Sequence, residues 1–322
     1  MRVSIAMTTY NGDKHLEEQL NSFLSQTQLP DELVVCDDCS NDSTIQILEE
    51  FRLKAPFPVR INKNDTNIGF TKNFEKTINL CEGELIFISD HDDLWFDNKI
   101  ETMTRFISSN EGAYMAINDC EIADAEMNGT GLSKINQVMS YQGTIDGFIP
   151  GCCCVIRSDY KSLLFPFSDS MSYDSWISFI GINTNSRIVR EEVLQLYRRY
   201  ENNTTNHPVN SLNKIPTWRR YKKGLVRVFS SRVIDSKVDY NSKNLKSAEN
   251  LLIRIRLLIE ETEKHNLKRN LSRMQKALEI NISRFIEIES LITETSYKRF
   301  LKSCIKLLIR KMSMKDFLYI NF

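Results

Sequence analysis

Apolar residues in the first 120 positions switch repeatedly between short continuous runs and a spacing of three to four. Val3-Ser4-Ile5-Ala6-Met7 reads as a strand, and Leu16, Leu20, Phe23 and Leu24 then share one face of a helix. Leu33-Val34-Val35-Cys36 is a second strand. Ile45, Leu48 and Phe51 lie on the next helix, with Asn41 or Ser43 in place to cap it. A short strand at Val59-Arg60-Ile61, a helix over Phe70 to Leu80 and a strand at Leu85-Ile86-Phe87-Ile88 continue the alternation. Ile100, Met103 and Phe106 mark a further helix, and Tyr114-Met115-Ala116-Ile117 a fifth strand. Strands alternating with helices in this way form right-handed βαβ units around a largely parallel sheet.

The pattern then changes. Gly151 to Arg157 reads as a strand, Tyr173-Asp174-Ser175-Trp176 opens an apolar helix, and Val193 to Tyr197 is a last strand. From about residue 244 the spacing is helical throughout. Leu245, Ala248, Leu252, Ile255 and Ile259 form one stripe, and Leu267, Leu271, Met274, Leu278, Ile282, Phe285 and Ile292 another. His265-Asn266 suits the turn between two antiparallel helices. In a final helix, Phe300, Leu301, Ile305 and Leu308 share a face, while Lys298, Lys302, Lys306 and Arg310 recur on another. That is the pattern of a basic interfacial helix.

In parallel sheets ligands bind at the carboxyl ends of the strands. The polar clusters of this chain fall there: Thr8-Thr9-Tyr10-Asn11, Asp37-Asp38-Cys39-Ser40 and Ser89-Asp90-His91-Asp92-Asp93-Leu94-Trp95. The three carboxylates of the last run repel one another and suit a hard divalent cation that keeps open positions for phosphate oxygens. They equally suit an acidic turn ahead of the helix that follows Asp97. His91 reads as a structural spacer. No G-x-G-x-x-G follows the first strand and no P-loop is present.

Charge divides the chain. Net charge is zero, yet residues 211–322 hold 25 Lys and Arg against 11 Asp and Glu, so residues 1–210 are as acidic as the tail is basic. Two domains are expected, over 1–210 and 211–322. No apolar run reaches the length of a membrane span, and Val3 to Met7 is too short for a secretory core. Eight cysteines without regular spacing read as reduced, cytoplasmic thiols. Cys36 and Cys39 have no second pair with which to hold zinc, and Cys152-Cys153-Cys154 reads as packing.

Together these residues resemble the family-2 glycosyltransferases. The resemblance covers roughly residues 2–205 and adds Asn67-Ile68-Gly69, Lys72-Asn73, Gly83-Glu84 and Asp174 to the clusters above. The Asp-x-Asp-Asp-x-Trp form looks most like the bacterial rhamnosyltransferase-like branch. It implies an α/β GT-A fold, a Rossmann-like and mostly parallel central sheet flanked by helices, here with an all-α C-terminal extension. It implies transfer, with inversion, of a monosaccharide from dTDP-rhamnose or a UDP-sugar to a saccharide acceptor, lipid-linked, in O-antigen or capsule assembly. Mg²⁺ or Mn²⁺ would be the cofactor, held by Asp90 and Asp92, with Asp92 the more direct ligand. Thr9, Tyr10 and Asn11 would line the nucleotide pocket, Asp38 would accept from the base imide, and Lys72 would face the diphosphate or base. Asp93 would reach the donor sugar or orient its neighbours, Asp174 would be the general base, and Trp176 would pack on a sugar.

The chain departs from that branch at Tyr200, which stands where histidine is common and cannot replace it as a nitrogen ligand. Arg198 or Arg199 would then hold phosphate, and His207 is out of register. The tail suits docking on an anionic membrane surface, at the inner face of the cytoplasmic membrane, and not on nucleic acid; packing of the last helix on the acidic catalytic domain is the alternative. Other classes fit less well. A phosphatase places its Asp-x-Asp after the first strand, and a receiver-like domain leaves Asp174 without a role. An inactive nucleotide-sugar-binding scaffold would differ from the enzyme only in turnover.

Overall fold

Seven consecutive residues, Val3–Thr9, are buried without a break and form the first strand, β1. Burial on both faces is what a central parallel strand requires, and it explains why the run does not alternate. The computed structural model describes residues 1–142, 144–147, 151–200, 208–215, 231–262 and 265–292. β1 pairs in parallel with β2 (Glu32–Asp37) on one side and with β4 (Leu85–Ser89) on the other, while β3 (Val59–Lys63) adds outside β2. The helices α1 (Asp13–Leu24), α2 (Thr44–Lys54) and α3 (Phe70–Leu80) make the crossovers. Leu16, Leu20 and Phe23 of α1 reach one core with Ile5, Met7, Phe87 and Trp95. Phe23 meets Trp95 edge-on at 4.9 Å between ring centroids.

The expected parallel half is thus in place, but beyond β4 the sheet reverses. β8 (Cys154–Arg157) runs antiparallel to both β4 and β6 (Met115–Ala123). β9 (Arg187–Arg198) returns parallel to β6, and β5 (Leu94–Trp95) lies antiparallel on β9. The spatial order is β3-β2-β1-β4-β8-β6-β9-β5, with β7 (Gly129–Ser133) beside β6. Alternation of strands and helices predicts parallel neighbours only where each strand is followed by its own crossover. Here α4 (Lys99–Ser108) is followed by β6, the hairpin partner β7 and α5 (Lys134–Gln142), and the chain re-enters the sheet from the opposite direction. Gly151–Cys153, expected as strand, is a 3₁₀ turn that leads into β8. α6 (Lys161–Leu164) and α7 (Tyr173–Asn183) precede β9.

The chain divides into two units. One comprises residues 1–137 and 148–214, the other 138–147 and 215–322. In the second, α8 (Ser231–Glu261) and α9 (His265–Ile292) run antiparallel: Asn241 Nδ2 donates to the Phe285 carbonyl at 3.0 Å, and Arg256 pairs with Glu279 at 3.1 Å. Ala248, Leu251 and Ile255 are buried on α8, and Leu271, Met274, Leu278 and Ile288 on α9. Helix begins earlier than its apolar stripe, because Ser231 to Asn244 is mostly polar. No described helix is long and apolar enough to cross a membrane. The lysine-rich segment 297–312 lies outside the described residues.

Candidate active site

The loops after β1 and β2 lock together through short polar side chains. Asp37 Oδ2 accepts from Thr9 Oγ1 at 2.8 Å and from Ser40 Oγ, while its Oδ1 accepts the Ser40 amide at 2.9 Å. The Asn11 amide donates to Ser40 Oγ, and Asn11 Oδ1 accepts the Asn41 amide at 3.0 Å. Asn11 and Cys39 hold φ of 46° and 68°, a left-handed conformation that asparagine tolerates well. Thr9 therefore braces the loop, and Tyr10, 50% exposed, is the side chain it presents.

Asp38 is buried at the next position. Its Oδ1 accepts from Asn64 Nδ2 and the Ile68 amide, both at 2.8 Å, and its Oδ2 accepts the Gly69 amide at 2.9 Å. Gly69 sits at φ 82°, which a side chain would disfavour, and this turn is what aims the two amides at one carboxylate. Oδ2 keeps a lone-pair position for a further donor. Lys72, one turn into α3, is exposed and lies 3.0 Å from Glu75 and 3.6 Å from Asp169.

The acidic turn follows β4. Asp90, Asp93 and Cys152 each offer a ligand atom within 4.8 Å of the others. Burial, with repulsion from Asp93, Asp92 and Asp174, pushes the Asp90 carboxyl well above the ordinary range. Burial and the Asp92 charge push Asp93 up to about 7. Asp92 is half-buried, and its Oδ2 accepts from Tyr200 Oη at 3.0 Å. Tyr200 also lies beside the His15 ring, with centroids 5.3 Å apart. His15 is a nitrogen base that the sequence reading passed over in favour of position 200. Burial and the Arg198 charge lower its pKa, so the ring is neutral near pH 7. His91 packs over Gly12, where an added Cβ would meet its ring at 2.4 Å, in keeping with a structural spacer.

The turn is held from beneath by a buried relay. Arg198 Nε donates to the Asp92 carbonyl at 2.7 Å, and its guanidinium also bonds the Ala125 carbonyl and Glu18. Those bonds leave Arg198 bracing the turn, a correction to its expected place on phosphate. Asp93 faces inward. Its Oδ1 accepts the Arg198 amide and its Oδ2 accepts from Gln195 Nε2 at 2.9 Å, so it orients its neighbours. Gln195 Oε1 accepts from Lys99 Nζ, which also donates to the Cys152 carbonyl at 2.9 Å and lies 3.8 Å from the Trp95 ring centroid. Lys99 is 1% exposed. Lys99→Met should strand two buried acceptors at about 1–3 kcal/mol each. We expect a lower midpoint of denaturant unfolding for the catalytic unit, read by Trp fluorescence. An unchanged midpoint would show that the relay bears no load.

Asp174 lies in the first turn of α7, near enough to the cluster for its charge to act on Asp90. Its Oδ1 accepts from Ser172 Oγ at 2.5 Å and from the Ser175 amide at 2.7 Å. Its other oxygen makes no hydrogen bond to a described residue. Burial raises its pKa, with the two serine bonds opposing. Tyr173 stacks on Phe74 at 3.9 Å and points its hydroxyl at Asp90 Oδ1, 3.5 Å away. Trp176 does not present a face to a sugar. It is 4% exposed, donates Nε1 to the Leu164 carbonyl at 2.9 Å and stacks on Phe179, because its helical position turns it into the core. Sequence reasoning missed His15, Glu18, Lys99, Gln195 and Tyr173. Each reaches the site from a helix face or strand interior that carries no motif.

Residues 4–164 match the family model described as glycosyl transferase family 2. This chain belongs to that family. It is 28% identical over 236 residues to the dTDP-rhamnosyl transferase RfbG of Shigella flexneri, covering 69% of this chain and 79% of the relative. It is 26% identical over 214 residues to the UDP-Glc:alpha-D-GlcNAc-diphosphoundecaprenol beta-1,3-glucosyltransferase WfgD of Escherichia coli, covering 66% and 83%. Among solved structures, S. aureus TarS 1–349 in complex with UDP-GlcNAc superposes with a TM-score of 0.53 at 15% identity, covering 100% of this chain and 90% of that one. The fold is GT-A, and the chain is a glycosyltransferase with an α-helical C-terminal part.

Proposed function

We propose that this glycosyltransferase moves a monosaccharide, with inversion, from a pyrimidine nucleoside-diphosphate sugar to a lipid-linked saccharide in bacterial surface polysaccharide assembly. One observation carries the reading. The ends of β2 and β4 carry a buried carboxylate, Asp38, and an acidic turn, Asp90 to Asp93, and Asp174 at the start of α7 is near enough to Asp90 to oppose its ionisation. The names of the relatives supply two donors, dTDP-rhamnose and UDP-glucose, and one acceptor, a diphosphoundecaprenol-linked sugar.

The acidic turn fits Mg²⁺ or Mn²⁺. Carboxylates that oppose one another's ionisation, as Asp90 and Asp93 do, gain most from a divalent cation. Asp90 and Asp92 would hold it, with Cys152 and Asp93 beside them. When bound, the ion neutralises charge building on the departing diphosphate. The protein's own residues do the rest. Tyr10 and Asn11 line the base pocket, Asp38 accepts the imide N–H through its spare lone pair, and Lys72 adds positive charge at the pocket mouth. Asp174 takes the acceptor hydroxyl proton on its free oxygen as attack proceeds. One base without a protein nucleophile means a single displacement, hence inversion. Asp93 and Arg198 keep the turn in place.

A panel of nucleoside-diphosphate sugars, assayed for release of free nucleoside diphosphate with Mn²⁺ or Mg²⁺, tests this. Turnover of a UDP- or dTDP-sugar is the expected result. Binding of such donors without turnover on any acceptor would instead favour the scaffold reading. Attachment to the inner face of the membrane through residues 297–312 completes the proposal. Co-sedimentation with anionic vesicles, lost on truncation before that segment, checks it.

A further inference from the structure

Two cations are buried at one aromatic ring on the side of β9 away from Arg198. Lys134 opens α5 and is 6% exposed; its Nζ lies 4.9 Å from the centroid of Tyr197. Arg199, 8% exposed, places Cζ 5.8 Å from the same centroid. Strand geometry sends Tyr197 and Arg199 to one face and Arg198 to the other. Arg198 bonds the Asp92 carbonyl and Glu18, whereas the Arg199 backbone is anchored on the Ala123 carbonyl at 2.9 Å.

Lys134 has neither a carboxylate within ion-pair distance nor a hydrogen-bond acceptor among the described residues. Among the described residues, its ammonium meets the Tyr197 ring face. A ring quadrupole offsets part of the cost of burying an ammonium, not all of it, and a second cation beside it raises that cost. Burial lowers the Lys134 pKa and the Arg199 charge adds to that effect. The start of α5 gives this lysine no local role, since an ammonium has no acceptor for the first amides, which donate elsewhere. The Ile135 amide donates to Asp119 Oδ1 at 3.0 Å and the Asn136 amide to Ser133 Oγ at 3.2 Å. Lys134, buried at a ring it shares with Arg199 and without an anion among the described residues, marks a site that an anion completes. Tyr197 immediately precedes Arg198, whose amide donates to Asp93 Oδ1 at 3.3 Å, so the ring lies on the stretch of β9 that reaches the acidic turn.

We propose that Lys134 and Arg199, gathered at the Tyr197 ring, form a phosphate subsite distinct from the donor's, which receives the phosphate of a lipid-diphosphate-linked saccharide acceptor. This rests on the glycosyltransferase reading and deepens it by naming what the acceptor must carry. Phosphate reaches the enzyme from two sources, donor and acceptor, and the test separates them.

Inorganic diphosphate is titrated calorimetrically into the full-length chain in EDTA, so that the acidic turn holds no ion. The titration is repeated with UDP or dTDP at saturation. The wild type should bind diphosphate in both settings. Lys134→Met should weaken binding tenfold or more, Lys134→Arg should keep it, and Lys268→Ala, an exposed cation on α9, should leave it unchanged. Absence of binding by the wild type at millimolar concentration, or equal binding by Lys134→Met, overturns the subsite. Loss of diphosphate binding once a nucleotide saturates the chain assigns the phosphate to the donor and overturns the acceptor assignment. If Lys134→Met melts early, Lys134→Gln takes its place in the same titration. None of these readouts needs turnover, so a failed donor screen and a failed subsite are told apart.

Discussion

Asp92→Asn is expected to lower transfer by about 10²–10³-fold, the range for removing a group that stabilises charge in the transition state. Asp92 is half-buried, bonded through one oxygen to Tyr200, and under the proposed function holds the cation together with Asp90. Asp93 is committed inward to Gln195 and the Arg198 amide, and Asp90 is pressed by its neighbours toward the neutral form. Asparagine keeps the shape and can still accept from Tyr200, whose hydroxyl bonds Asp92 Oδ2 at 3.0 Å. The loss should therefore be electrostatic and not structural. Two measurements check this: nucleoside diphosphate release across a Mn²⁺ titration, and the thermal midpoint. We expect a flat Mn²⁺ response with the midpoint unchanged. Wild-type protein that turns over fully in EDTA would remove the basis for the prediction.

Much of this site was legible in the sequence, and what was missed has a common cause. Asp174, at a helix start, came only from the resemblance, whereas Asp38 and the acidic turn were readable because strand ends are marked by a change of period, and charged residues there face a cost that chemistry must justify. β3, at the sheet edge, is half-exposed, whereas β1, β2 and β4 were readable for the same reason, since central parallel strands are buried on both faces. The reversal at β8 was not, because Cys154–Arg157 looks the same in either direction. Trp176 and Arg198 were expected at the substrate by residue type. Their placement depends on which way a helix or strand is rotated, and Trp176 turns to the Leu164 carbonyl while Arg198 turns to the Asp92 carbonyl. The relay Lys99–Gln195–Asp93 spans about a hundred positions of sequence, and only the folded sheet brings it together.

Tyr200 shows how a departure from the family pattern can be absorbed. Tyrosine offers no nitrogen to an ion, but its hydroxyl orients Asp92, and α1 supplies a neutral imidazole at His15 beside it. The acidic turn thus keeps a hydrogen-bond donor from the β9 end even though the ligand type has changed.

Asp174→Asn is expected to cut turnover by about 10² or more while leaving donor binding nearly unchanged. The substitution preserves Oδ1, which accepts from Ser172 and the Ser175 amide, and removes only the basicity of the free oxygen. The pH dependence follows from burial. Burial raises the Asp174 pKa, so the base gains its charge above the ordinary carboxylate value of about 4. Wild-type kcat should rise with pH through that raised value, and the variant should lack this acidic limb. The stability effect has the opposite sign. A carboxyl whose folded pKa is raised binds protons more readily folded than unfolded, so at neutral pH its ionised form opposes folding, and below both pKa values the penalty disappears. Asp174→Asn should therefore match or exceed the wild type in stability at pH 7, with the gain fading as pH falls through the carboxylate range. Lost activity together with retained or improved stability separates a base from a structural acid. A variant that turns over normally would move the proton-accepting role to another group at the cluster.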